Sequence, residues 1–70
     1  MAHDYVNKGL LGMIPKDARN VIEVGCSYGA LAREYKKINP NVNYVGLEIE
    51  KSYLDEAKKY CDSVAHINIE

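Results

Sequence analysis

Seventy residues, 47% apolar and 27% charged, form an ordinary folding composition that excludes a disordered chain, although the length is small for a globular domain. A net charge of −1 and a pI of 6.1 give no electrostatic reason to expect nucleic acid or an acidic membrane as a partner. No apolar run approaches the ~20 residues of a membrane helix, and the N-terminus carries no signal-peptide core. No membrane association and a cytoplasmic location are therefore expected. The two cysteines, Cys26 and Cys61, have neither disulfide-framework nor zinc-ligand spacing, which predicts reduced thiols and no metal site.

In chain order, Tyr5, Val6, Leu10 and Met13 fall at helical spacing, which predicts a short helix over 4–13 with Asp4 as its cap. Pro15 prevents its continuation, and 14–20 reads as a polar connector. Val21, Ile22 and Val24 then form a short β-branched run, the pattern of a buried strand over 20–25. Residues 29–38 follow as a helix with Leu31, Tyr35 and Ile38 on one face, and Asn39-Pro40-Asn41 stops it. A second strand spans 43–49. Ser52, with Asp55 three residues on, predicts a capped helix over 52–61 whose buried stripe is Leu54, Ala57 and Cys61. A third strand is expected over 64–69.

Strands alternating with helices of this length imply an α/β fold. The expected architecture is a partial, Rossmann-like doubly wound parallel sheet, in the order helix-β-α-β-α-β, forming a single partial domain over 1–70. Such sheets bind ligands at the carboxyl ends of their strands. At that end of the first strand lies Glu23-Val24-Gly25-Cys26-Ser27-Tyr28-Gly29. Glu23 interrupts an apolar run where a carboxylate is poorly placed for packing but well placed to face a ligand. Gly25 and Gly29 permit a left-handed backbone and a close approach, and a helix N-terminus points at the same crevice. The strand at 20–25 would lie at an open apolar edge, which calls for a second copy of the chain or further sequence to cover it.

This segment resembles the first motif of class I S-adenosylmethionine-dependent methyltransferases, acid-x-Gly-x-Gly-x-Gly at the first strand-to-helix turn. Tyr44-Val45-Gly46-Leu47-Glu48 is similar to the family's second motif, with Glu48 lying 19 residues beyond Gly29 at the end of the next strand. The resemblance covers nearly the whole chain and implies S-adenosylmethionine as cofactor. By that likeness Glu23 orients the methionine part, Gly25, Cys26, Ser27 and Gly29 form the turn beneath it, and Glu48 accepts hydrogen bonds from the ribose. Ile49 packs on the adenine, with Asn68 and Ile69 at its amino edge. Two positions depart from the pattern: Ser27 replaces the middle glycine, and Asn68 replaces an acid, so the adenine contact loses charge assistance. The resemblance further suggests a methyl acceptor of small-molecule or saccharide type, bound by elements beyond these residues, so that the 70 residues alone bind cofactor weakly without turnover. It identifies no general base.

Other readings compete for the same residues. Gly25-x-Ser27-x-Gly29 matches the α/β-hydrolase nucleophile elbow, with His66 as the sole downstream histidine. A dinucleotide-binding turn needs glycine at 25, 27 and 30, where this chain has Gly, Ser and Ala. A non-catalytic module that dimerises through the open strand edge is the third alternative. His3 and His66 read as isolated surface or satisfied histidines.

Overall fold

Three parallel strands arise because each apolar run is too short for a helix and each is separated from the next by a helical crossover. The computed structural model describes residues 8–68. In chain order it contains α1 (Lys8–Met13), β1 (Asn20–Val24), α2 (Ala30–Ile38), β2 (Asn43–Glu48), a 3-10 turn (Lys51–Tyr53), α3 (Leu54–Ala57) and β3 (Ser63–His66). The sheet order is β1-β2-β3, all parallel, with Glu23 opposite Gly46 and Glu48 opposite His66. The expected partial doubly wound architecture is therefore present. Asp4, Tyr5 and His3 lie outside the described residues, as does Ile69.

The alternation of each strand divides the sheet into two unlike faces. Val21, Tyr44 and Val64 pack beneath the helices in a core formed with Ala32, Tyr35, Val42 and Cys61. The opposite face presents Ile22 and Val24, which are 67% and 70% exposed. They pair in register with Val45 and Leu47. The run at 21–24 thus reads as buried on both faces in sequence, yet among the described residues it is covered on only one. Among the described residues β1 pairs only with β2, which leaves it at the sheet edge, as expected.

α2 forms as its apolar spacing requires, with Leu31 and Tyr35 buried and Ile38 at the exposed end. Lys36 and Lys37 occupy its last turn, where the helix dipole favours cations. The connector is anchored to this helix by side chains. Tyr35 Oη donates to the Pro15 carbonyl, and Asn39 Nδ2 donates to the Ala18 carbonyl at 2.7 Å.

The segment after β2 departs from the expected helix over 52–61. Its first turn is 3-10, and Glu50, not Ser52, is the cap, its carboxylate accepting from the Ser52 amide at 3.3 Å and from Ser52 Oγ at 3.0 Å. Regular α-helix is confined to Leu54–Ala57. Beyond it the chain tightens into i→i+3 bonds, Lys59 N to Glu56 O and Tyr60 N to Ala57 O. The tightening lets Asp62 fall back onto β2. Its amide donates to the Tyr44 carbonyl at 2.8 Å, and its carboxylate accepts from the Tyr44 amide at 2.6 Å and Lys36 Nζ at 2.8 Å. β3 begins at Ser63 and ends at His66, short of the expected 69.

The Lys36 ammonium and the Tyr44 amide hold the Asp62 carboxyl below its ordinary value of 3.8. A depressed carboxyl contributes stability that is present above its unfolded value and lost as pH falls through the lower folded one. Asp62→Asn should therefore cost about 1 kcal/mol at neutral pH, with surface screening keeping it small. Urea unfolding should show that difference shrinking as pH drops below 3.8; a pH-independent difference would contradict this role.

Candidate cofactor site

The carboxyl ends of β1 and β2 are stitched together by three successive amides of the glycine turn. Gly25 N and Cys26 N both donate to the Leu47 carbonyl, at 2.6 and 3.2 Å. Ser27 N donates to Glu48 Oε1 at 2.7 Å. The other carboxylate oxygen, Oε2, accepts from Glu50 N at 2.8 Å. Glu48, which is only 6% exposed, is thus held by backbone amides between the turn and the start of the next segment. Gly29 N closes the turn on the Cys26 carbonyl at 2.9 Å.

This pattern demands unusual backbone. Gly25 and Gly29 have φ of 74° and 86°, and Ser27 is the one non-glycine among the described residues at positive φ, 51°. The sequence departure at 27 is accommodated by a left-handed serine, a conformation that costs on the order of 1 kcal/mol or more. Gly29 also lies under α3: a Cβ there would stand 3.2 Å from Ala57 Cα. Around Gly25, by contrast, a Cβ would meet nothing within 4 Å, so the turn is open on that side.

Glu23 lies half-buried on the helix-covered face, where Oε1 accepts from Tyr44 Oη at 2.7 Å. Burial raises its pKa, the Tyr44 hydrogen bond opposes that rise, and the nearby Glu48 carboxylate adds to it. Two carboxylates at adjacent strand ends make this crevice electronegative. Beneath it, the Cys26 and Cys61 thiols are free and buried, both against the side of Gly46 where a Cβ would stand. Burial and the neighbouring anionic groups push them up to about 11 and about 12, so they stay protonated at neutral pH. Among the described residues no cluster of potential metal ligands occurs.

The remaining sequence candidates are less gathered. Ile49 is 54% exposed at the rim. Asn68 is exposed beyond the end of β3. The side chain of Cys26 points into the core, so toward a ligand it can offer backbone alone. His66 Nε2 pairs with the Ile49 carbonyl at 2.9 Å, the satisfied histidine expected, and Ser27 makes no hydrogen bond to it. The hydrolase triad is therefore not assembled. A pyrophosphate-binding turn would need outward amides, whereas those of Gly25, Cys26 and Ser27 are all engaged within the chain, which disfavours the dinucleotide reading. Tyr44 and the engagement of Glu48 by backbone amides had no signal in the sequence, where Tyr44 reads as one more apolar strand residue.

Residues 17–70 match the family described as "Putative methyltransferase". The chain belongs to this methyltransferase family, and with its parallel sheet and acid-Gly turn it falls within the class I, S-adenosylmethionine-dependent type. It is also 50% identical over 36 residues to a tRNA (guanine-N(7)-)-methyltransferase of Streptococcus gordonii, a match covering 51% of this chain and 17% of that relative. The chain thus spans only a small part of that relative's length. No helix among the described residues is long and apolar enough to cross a membrane.

The tight seat of Cys26 over β2 yields a test. A Cβ at Gly46 would stand 2.6 Å from Cys26 Sγ. Gly46→Ala should destabilise the chain by about 1–3 kcal/mol through overpacking. Adding Cys26→Ala should recover part of the loss in urea unfolding, whereas an undisturbed Gly46→Ala midpoint would contradict the packing.

Proposed function

We propose that this chain is the cofactor-binding part of a methyltransferase that uses S-adenosylmethionine and methylates tRNA at guanine N7. The observation that carries the cofactor half is the pair of strand-end carboxylates set about an open glycine turn. The donor set fits this ligand. Glu48 uses one acceptor position on each oxygen and retains others for two ribose hydroxyls. Glu23 Oε2 accepts no hydrogen bond from the described residues and suits the cationic methionine part. Gly25 faces open space, and Ile49 offers an apolar surface at the rim for the adenine. Asn68 and Ile69 are proposed at the amino edge of that base.

When bound, the cofactor supplies an electrophilic methyl on a sulfonium centre. The chain's own residues supply placement: Glu48 holds the sugar, Glu23 holds the charged end, and the turn sets the distance between them. No side chain among the described residues is positioned as a general base, and an N7 lone pair, which carries no proton, requires none. The acceptor assignment rests on the streptococcal relative. It takes the place of the small-molecule or saccharide-type acceptor and of the expectation of no nucleic-acid partner. That expectation came from net charge, a sum over the chain that says nothing about elements outside it. In this reading the apolar face of Ile22 and Val24 is covered by further sequence or by a second copy, which contributes the acceptor site.

Two measurements test the halves separately. Ultraviolet crosslinking of S-adenosylmethionine labelled in its methyl group should mark the chain, at least about tenfold less in Glu48→Ala, given the loss of charge-assisted bonds to two hydroxyls. Equal labelling of both would overturn the cofactor site. Deleting the coding sequence from its host should remove N7-methylguanosine from digested tRNA; an undiminished level would overturn the acceptor.

A further inference from the structure

We propose that Tyr44 is a positioning residue for the methyl-donor site, holding Oε1 of Glu23 so that Oε2 remains the open acceptor for the ligand's cationic end. The inference rests on the cofactor reading above. It begins with the register of the first two strands: Val21 lies opposite Tyr44 and Glu23 opposite Gly46. Tyr44 and Glu23 are therefore diagonal neighbours on one face, within reach of a long aromatic side chain. Gly46, directly across from Glu23, has no side chain to intervene.

The phenol is fully buried, and Glu23 is its acceptor at 2.7 Å. Its other neighbour is the Tyr35 ring, 6.3 Å away between centroids. The Asp62 carboxylate fixes the backbone amide of Tyr44, and the core fixes its ring, so the hydroxyl has little freedom to turn elsewhere. A buried hydroxyl aimed at a half-buried carboxylate orients it and favours its charged form. The titratable groups facing Glu23 are Tyr44 and Glu48 on β2, with the Cys26 thiol in the turn and the Cys61 thiol after α3. Of these only Tyr44 supplies a hydrogen bond that opposes protonation of Glu23. Burial raises the phenol well above its ordinary value, so it remains a donor throughout the working pH range.

The test is a titration of the ligand-free chain carrying carbon-13 at glutamate carboxyls, followed by binding of S-adenosylmethionine across the same pH range. Tyr44→Phe should move the Glu23 midpoint up by about one pH unit. Affinity at neutral pH should fall several-fold, with its acid limb displaced upward equally, and Tyr44→Phe should have no added effect in a Glu23→Gln background. If Tyr44→Phe does not fold, 3-fluorotyrosine at position 44, a stronger donor, should move the midpoint down. An unmoved Glu23 midpoint in both variants would overturn the proposal, as would an equal affinity loss in the Glu23→Gln background. Failure of the wild-type chain to bind the cofactor while the midpoint shifts would instead overturn the cofactor reading and leave the Tyr44–Glu23 coupling standing.

Discussion

The Glu48 carboxylate, gripped by the Ser27 and Glu50 amides, is the interaction on which the rest of this small structure depends. One side chain ties the first crossover to the second at the end of the sheet where ligands bind. It sets the left-handed turn at Gly25 and Ser27, and it orients the chain leaving β2 so that Glu50 can cap the next turn. The Leu47 carbonyl reinforces it by accepting two more amides of the same turn. A residue that the motif resemblance proposes for a ligand therefore also organises its surroundings. The two roles are compatible because the two oxygens of the side chain have more acceptor positions than two amides fill.

The strand-helix alternation was legible in the sequence because each element carried its own period and stop signal. Leu31 and Tyr35 marked α2 and Pro40 ended it; Val21, Ile22 and Val24 marked β1. The segment 52–61 departs from the expected helix for a local reason. Ser52 and Asp55 have the types of a capping box, but Glu50 lies two residues ahead of Ser52 with a longer reach and takes both its amide and its hydroxyl. The contraction that follows answers to Asp62, whose bonds to Tyr44 and Lys36 span distances in sequence that no local pattern encodes.

The site divides in the same way. Glu23, Gly25, Gly29 and Glu48 were readable because a turn at fixed spacing between strand ends needs those residue types. The direction of the hydrogen bonds has no signal in the sequence. The amides of Gly25, Cys26 and Ser27 are engaged within the chain, and the tyrosine that aligns Glu23 comes from the neighbouring strand, two positions from Glu23's register partner. Asn68 illustrates the converse: the motif resemblance places it at the adenine edge, yet β3 ends at His66 and leaves it on exposed chain. Family membership together with the short span of the streptococcal match explains why the cofactor side is so much better defined than the acceptor side.

The most direct measurement is the amide spectrum of the nitrogen-15-labelled chain during titration with S-adenosylhomocysteine. The account predicts saturable shifts confined to Gly25 through Gly29 and to Glu48 and Glu50, with Asn20 and Ser63, at the far ends of their strands, unmoved. Stationary turn amides in a folded sample at millimolar ligand would contradict it and favour a module that assembles through its open strand edge.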